Sequence, residues 1–131
     1  MEPPDATRRL LACLNAILER KARDVVVLRV TEVSSIADYL IICSGTSDRQ
    51  VQAIAATIQE KLKKAGILPL GVEGEHYGHW ILIDFNDVVI HVFYEPVRAL
   101  YQLEGIWADV PRMDVAEDTK KLDSLTEEMW H

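Results

Sequence analysis

The sequence WILIDFNDVVIHVF, residues 80–93, decides the fold because two apolar runs flank the polar pair Asn86-Asp87. A two-residue polar loop between such runs is typical of a β-hairpin, and Asn-Asp is compatible with a type I′ turn. We therefore expect two antiparallel strands, His79 to Phe85 and Val88 to Phe93, with Trp80 opposite Phe93 at the open end.

Side chains alternate between the two faces of a strand, so this register sorts the hairpin into two faces. One face is wholly apolar and should belong to the core: Ile81, Ile83, Phe85, Val88, Ile90 and Val92. The other, which we call the mixed face, contains Trp80, Leu82, Asp84, Val89, His91 and Phe93. The mixed face is too apolar for water alone and too polar for a dry core. A helix of the same chain, another protein or a catalytic cleft would each account for it.

The rest of the chain predicts one α/β domain with a mixed five-stranded sheet flanked by helices. Pro3-Pro4 and the N-cap Asp5 start a helix, Ser47 with Gln50 fits a capping box, and Gly66 ends the second helix. A short helix opens at Pro96. Three further strands precede the hairpin: Asp24 to Val30 and Tyr39 to Cys43, which should pair antiparallel, and Leu68 to Val72, which a crossover through the second helix should make parallel.

Pro111 marks the expected end of the compact part. After Arg112 the sequence contains six acidic residues against two lysines, and few apolar ones. We therefore predict a domain over residues 1–112 and an acidic tail over residues 113–131 that is mobile or loosely attached. Trp130 is the one side chain that we expect to anchor it.

Composition narrows the classes of function. The net charge is −7, with 14 basic and 21 acidic residues, which argues against broad affinity for bare RNA or DNA. No apolar run approaches the roughly 20 residues of a membrane span, and residues 1–5 lack the features of a secretory signal. Cys13 and Cys43 lie among aliphatic residues and are expected to be buried, reduced thiols rather than a disulfide. A cytoplasmic location follows.

Three kinds of chemistry have candidate residues in the sequence, and each set has a simpler structural interpretation. Nucleotidyl transfer would use the turn Gly45-Thr46-Ser47 together with two carboxylates in an Asp-x-Asp motif. The candidate carboxylates, Asp84 and Asp87, are instead three residues apart. A hydrolase would combine Cys43, His91 and Asp84, although Cys43 has no activating charge nearby. A metal site would use Glu73, Glu75, His76, His79 and His91 as ligands. Their spacing in the sequence does not make these side chains point toward one metal position. We expect no catalytic residue, cofactor or metal.

Several separated motifs resemble the family of ribosomal silencing factors, also called RsfS or Iojap proteins. They are the segment from Asp38 to Gln50, Gly71-Val72-Glu73-Gly74, the hairpin of residues 80–93, and Tyr101-Gln102-Leu103-Glu104 with Trp107. The similarity runs from about Leu10 to Pro111. The family's sequence pattern is not shared by the segment from Glu75 to His79 or by the acidic tail.

The resemblance implies an α/β fold related to nucleotidyltransferases but without their catalytic acids. It implies a protein, not an enzyme, that binds ribosomal protein L14 on the large ribosomal subunit, blocks subunit joining and represses translation. A homodimer is implied too, with no membrane or DNA partner and at most peripheral contact with ribosomal RNA. Family contacts match Trp80 and Asp84, so the partner-covered explanation leads. The expected partner-binding residues are Glu73, Trp80, Leu82, Asp84, Val89 and His91. The alternative is a nucleotide-binding or nucleotidyltransferase-like enzyme.

Overall fold

The computed structural model describes residues 5–131, so the predicted helix start at Pro3-Pro4 lies outside the described part. It contains three α-helices: α1 (Ala6–Glu19), α2 (Asp48–Lys64) and α3 (Glu95–Tyr101). Short 3₁₀ helices cover Leu103–Trp107 and Glu127–Met129. The strands are β1 (Arg23–Arg29), β2 (Tyr39–Gly45), β3 (Gly71–Glu73), β4 (Trp80–Asp84), β5 (Val88–Tyr94) and β6 (Arg112–Val115).

The strands form one mixed sheet in the order β3-β4-β5-β2-β1-β6. The central pair, β2 and β5, is parallel, and every other neighbouring pair is antiparallel. The α/β class, the mixed sheet and the antiparallel pairing of β1 with β2 are therefore confirmed. The prediction of five strands missed β6, which extends the sheet beyond β1.

The helix boundaries follow the predicted caps. The Asp5 side chain accepts a hydrogen bond from the backbone N–H of Arg8, and the Ser47 hydroxyl accepts one from Gln50. The Gln50 side chain departs from a strict capping box, because its oxygen accepts from the N–H of Thr46. Gly66 ends α2 with φ +80°, a conformation that favours glycine, and the N–H of Ile67 donates to Leu62 in the manner of a Schellman motif.

The hairpin register is confirmed from Trp80 opposite Phe93 to Asp84 opposite Val89. The type I′ turn is wrong, because only Asn86 of the two loop residues has positive φ. Instead the N–H of Asp87 donates to the carbonyl of Phe85, two residues back, as in a γ-turn. The Asp84 carboxylate holds this geometry by accepting from the N–H of Asn86 at 2.7 Å.

Two layers of side chains cover the sheet. The predicted apolar face of the hairpin is buried against α1 and α2, with each of its six residues at most 1% exposed. On the opposite face a second, smaller cluster lies beneath α3 and the following 3₁₀ helix. That cluster is formed by Val26, Leu28, Val30, Leu40, Ile42 and Phe93.

The third strand differs from its prediction. β3 covers only Gly71–Glu73, and Leu68 and Leu70, which we placed in the strand, are largely exposed. The strand runs parallel to β2, as expected for a crossover through α2, but β5 and β4 lie between them. Its free side forms one edge of the sheet.

The C-terminal segment also differs from the mobile tail that we expected, and the proposed boundary after Arg112 falls inside β6. Asn15 in α1 exchanges two side-chain hydrogen bonds with the backbone of Leu122, at 2.8 and 2.9 Å. Trp130 stacks on Tyr39 at 5.8 Å between ring centroids and lies under the Arg29 guanidinium. These contacts hold the segment against the helical layer. Whether residues 1–112 fold without it stays a prediction.

Candidate functional site

The predicted partner-binding residues converge on three adjacent strands. Glu73 lies opposite Leu82, and Leu82 lies opposite His91, so these three form one row across β3, β4 and β5. Asp84 and Val89 form the next row. Trp80 and Phe93 form a third. Because opposed residues on neighbouring strands point to the same side, the mixed face exists as predicted and Glu73 extends it.

Trp80 is held in place on three sides and remains partly exposed. Its ring centroid lies 4.8 Å from that of Phe93 and 4.9 Å from that of Tyr101 in α3. Its indole N–H donates a 2.9 Å hydrogen bond to Nδ1 of His91. An indole fixed by stacking and by a hydrogen bond loses little freedom when a partner covers its remaining surface.

His91 is 8% exposed, so the structure places it beneath Trp80 and almost out of reach of a partner. Burial lowers the pKa of its imidazole to about 4. The ring is therefore neutral at physiological pH, with Nδ1 as the acceptor and its proton on Nε2. Among the predicted residues, His91 is thus a positioning residue that fixes Trp80.

Cover by a helix of the same chain, one of the three explanations for the mixed face, accounts for only part of it. The chain's own α3 and 3₁₀ helix cover the part nearest β2, where Phe93 is fully buried. Toward β3 the cover stops, because Leu82, Asp84 and Val89 keep part of their surface exposed and Glu73 is exposed. This remainder is open to a partner.

The sequence did not reveal that α3 adds exposed apolar surface beside Trp80. Leu100 and Tyr101 lie in the short helix that opens at Pro96, yet they are 78% and 57% exposed, and Ile106 beyond it is 72% exposed. The sequence contains no signal for this exposure, because neighbouring positions of a helix can both be buried, as Ile17 and Leu18 are in α1. Of these side chains, Tyr101 adjoins the mixed face, because its ring centroid lies 4.9 Å from that of Trp80.

This half of the chain is strongly acidic. Residues 65–111, which form β3, β4, β5 and α3, contain seven acids against one base, a net charge of −6. The acids are Glu73, Glu75, Asp84, Asp87, Glu95, Glu104 and Asp109, and the base is Arg98, which pairs with Glu104 at 3.0 Å. Two of these acids, Glu73 and Asp84, lie on the mixed face, where their charge complements a basic protein.

The residues considered for hydrolysis do not come together. Cys43 lies opposite Val92 on the helical face of the sheet, whereas His91 lies on the mixed face. Burial raises the pKa of the Cys43 thiol to about 12, so it is a protonated, unreactive group. Cys13 is also buried, and both cysteines are free thiols.

The elements considered for nucleotidyl transfer lie at opposite ends of the sheet. Asp84 and Asp87 flank the turn before Val88, whereas Gly45 lies beside Tyr94 at the other end of β5. At about 3.3 Å per residue these ends are roughly 20 Å apart. Asp87 also faces Arg9 at 3.4 Å. This arrangement does not support two-carboxylate metal catalysis at the glycine turn.

Within residues 5–131 no three or more His, Cys, Asp or Glu side chains converge as a metal site, and Glu75 hydrogen-bonds Gln59 instead. In the same residues, the structure contains no helix long and apolar enough to cross a bilayer. A cleft of about 760 Å³ lies beside β1 and β6, and none of the six predicted residues lines it.

Comparison with known proteins points to one family. Residues 3–129 match the family model described as "Ribosomal silencing factor during starvation", so the match includes the acidic C-terminal segment. The chain is 42% identical over 106 residues to ribosomal silencing factor RsfS of Halalkalibacterium halodurans, covering 81% of this chain and 91% of that protein. A mouse protein named mitochondrial assembly of ribosomal large subunit protein 1 is 30% identical, over 72% of this chain and 42% of its own length.

Solved structures agree with this similarity. A crystal structure of a Chromobacterium violaceum protein superposes with a TM-score of 0.75 at 36% identity, covering 76% of this chain and 83% of that one. A second, from Bacillus halodurans, gives a TM-score of 0.70 at 41% identity, covering 75% and 91% respectively.

Proposed function

This chain belongs to the ribosomal silencing factor family, and from that membership we propose that it binds the large ribosomal subunit through ribosomal protein L14. Bound there, it occupies surface that the small subunit needs, so the two subunits do not join and translation falls. The mechanism is steric and requires no catalytic residue or cofactor. We place it in the cytoplasm, where reduced cysteines such as Cys13 and Cys43 are normal.

The open part of the mixed face is the observation that carries this proposal. It presents a rigid, partly exposed indole, aliphatic side chains and carboxylates on one rigid sheet. Protein interfaces depend on such anchors, since a few aromatic residues ringed by weaker polar contacts dominate their binding energy. We assign Trp80 as the anchor, Leu82 and Val89 as apolar contacts, and Asp84 and Glu73 as the acidic rim.

Charge supports a ribosomal protein as the direct partner. Glu73 and Asp84 give the open part of the mixed face a negative charge, which repels RNA phosphates and attracts a basic protein, and such attraction speeds association. The names of relatives also support the large subunit, because one of them is named for its assembly.

The experiment is sedimentation of tagged protein with separated subunits and with joined ribosomes. Wild type should travel with large subunits and be missing from joined ribosomes. Trp80→Ala should lose this association, since removing an interface anchor costs at least about 2 kcal/mol, or roughly 30-fold in affinity.

Trp130→Ala is the matched control. It also deletes a partly buried indole that stacks on a tyrosine, but on the helical side of the sheet. If both variants lost binding equally, weakened folding would explain the loss, and Trp80 would no longer be assigned to the interface.

A second copy of the chain has a plausible place on the free side of β3, whose backbone forms an open sheet edge. Glu73 belongs to both this edge and the mixed face, so we propose that the dimer and the large subunit compete. Light scattering should show a dimer that dissociates when large subunits are added. A dimer that persists on the subunit would contradict this competition.

A further inference from the structure

The helix α3, which holds Tyr101 against Trp80, has little apolar anchoring of its own. None of its seven residues is buried. Val97 packs on the smaller hydrophobic cluster, whereas Ala99, Leu100 and Tyr101 are exposed. A helix this short is not stable by itself in water. Apolar burial therefore contributes little to the position of α3 on the sheet, and other contacts must fix it.

Arg98 provides polar contacts that fix α3, and its side chain is only 11% exposed. Its Nε donates to the carboxylate of Glu104, in the 3₁₀ helix that follows α3, at 3.0 Å. Its Nη1 donates to the carbonyl of Asp24 at 2.7 Å and to the hydroxyl of Ser44 at 2.8 Å. One side chain thus joins α3 to β1, to β2 and to the 3₁₀ helix. Guanidinium N–H groups point in fixed directions, so these bonds constrain orientation as well as distance.

The strand β1 is irregular at the point where it contacts Arg98. Two of its residues, Asp24 and Val25, lie opposite the single residue Cys43 of β2, as in a β-bulge. Asp24 has φ +48°, in the left-handed region that most residues other than glycine avoid. A bulge interrupts the strand ladder, and here the carbonyl of Asp24 accepts from Arg98 instead. The irregularity of β1 thus provides an acceptor for the guanidinium.

Two short chains of contacts connect Arg98 to the indole of Trp80. Ser44 lies opposite Phe93, whose ring centroid is 4.8 Å from that of Trp80. Tyr101 follows Arg98 by three residues in α3, and its ring centroid is 4.9 Å from that of Trp80. Residues three apart are neighbours on the surface of a helix, so contacts that fix Arg98 also fix the position of Tyr101.

We propose that Arg98 is a positioning residue for docking, which holds α3 where Tyr101 packs on the indole of Trp80. The inference rests on the proposed function, because it treats Trp80 as the anchor of the partner contact. Without Arg98, α3 is free to shift, and the indole loses one of the three contacts that fix it. Ordering the indole then costs free energy when the partner binds. Arg98 is too buried for direct contact with a partner to explain such an effect.

The first part of the test is a double-mutant cycle on binding to purified large subunits. Arg98→Ala should weaken binding about fivefold, the usual cost of ordering one side chain. In the Tyr101→Ala variant the same substitution should have no effect on binding, because Arg98 acts through Tyr101. Arg23→Ala is the matched control. It removes an arginine that pairs with Glu95 at the start of α3, but at 3.8 Å and in an exposed position, so it should bind as wild type.

The second part is an NMR measurement without ribosomes. The indole N–H signal of Trp80 is identified by its loss in Trp80→Phe. Arg98→Ala should move this signal in the same direction as Tyr101→Ala does, because both remove a ring from beside the indole. The signal of Trp130, on the helical side of the sheet, should stay in place and thereby show that the variant is folded. If Arg98→Ala does not fold, Glu104→Ala, which removes only the contact to Nε, replaces it in both measurements.

An unmoved Trp80 signal, or an equal loss of binding with and without Tyr101, would overturn the inference and leave the proposed function standing. Failure of the wild-type protein to bind large subunits would remove the proposed function and the docking role of Arg98 with it. The two failures are distinguishable, because the first is seen only in the variants and the second already in wild type.

Discussion

The indole N–H of Trp80 donates a 2.9 Å hydrogen bond to Nδ1 of His91, which is directly below it in the sheet and 8% exposed. The acceptor nitrogen must be unprotonated, so this bond requires a neutral imidazole. Trp80, the anchor that we propose for the mixed face, is therefore fixed by a buried imidazole.

The first prediction concerns the pH dependence of stability. Burial lowers the pKa of His91 from its ordinary 6.5 to about 4, so between these values the unfolded chain binds a proton that the folded chain does not. The free energy of unfolding should therefore decrease by up to about 3 kcal/mol as the pH falls from about 6.5 to about 4. Urea unfolding of wild type and His91→Gln across this window measures it.

His91→Gln should lose that part of the pH dependence, whereas His76→Gln, at an exposed histidine, should keep it. Identical pH profiles for wild type and His91→Gln would show that His91 titrates normally in the folded protein.

The second prediction concerns the C-terminal segment. Trp130 packs on Tyr39 and under Arg29, so Trp130→Ala should lower the free energy of unfolding by about 2 kcal/mol, less than the cost for a fully buried tryptophan. Urea denaturation checks this, with Glu128→Ala, an exposed neighbour, as the control. No change in Trp130→Ala would mean that the segment is mobile in solution, as its composition first suggested.

The third prediction concerns charge. Glu73→Lys with Asp84→Lys should slow association with large subunits by roughly tenfold at low salt, and the difference should shrink as salt screens it. Glu60→Lys with Glu128→Lys changes the net charge equally, at exposed positions outside the mixed face. Stopped-flow measurements of the association rate at two ionic strengths distinguish the effects of the two double variants. Equal slowing in both pairs would point to net charge rather than to a local docking surface.

The hairpin was predictable because three local signals agreed. Alternation, turn length and the one-sided apolar pattern fixed the register of Trp80 opposite Phe93 before any tertiary contact was known. The turn type was not predictable, because a side chain outside the loop, Asp84, captures the Asn86 N–H. Whether such a hydrogen bond or an ordinary two-residue turn is more stable depends on backbone geometry, which the sequence composition does not show.

The sixth strand was missed although its pattern is visible. In β6, Met113 and Val115 are buried while Arg112 and Asp114 are exposed, which is ordinary strand alternation over four residues. The acidic residues that follow β6 are typical of a mobile tail, and the sequence therefore predicted a tail in this segment. Only the long-range pairing with β1 makes so short a strand stable, and such pairing is set by tertiary structure.

The sequence predicted which side chains share the mixed face, but not how deeply each of them is buried. Alternation placed Trp80, Leu82 and His91 on one side, yet it could not show that α3 covers part of that side. Nor could it show that His91 is 8% exposed and hydrogen-bonded to Trp80. Which side chains stay open depends on where α3 ends, at Gln102 with φ +48°.

The most direct measurement places a photoreactive benzoylphenylalanine at Leu82, on the open part of the mixed face, and irradiates the protein with purified large subunits. We expect a cross-link to ribosomal protein L14. The same group at Glu60, exposed on α2 on the opposite side of the sheet, should give none. A cross-link to another component from Leu82, or one to L14 from Glu60 alone, would contradict the docking surface proposed for this protein.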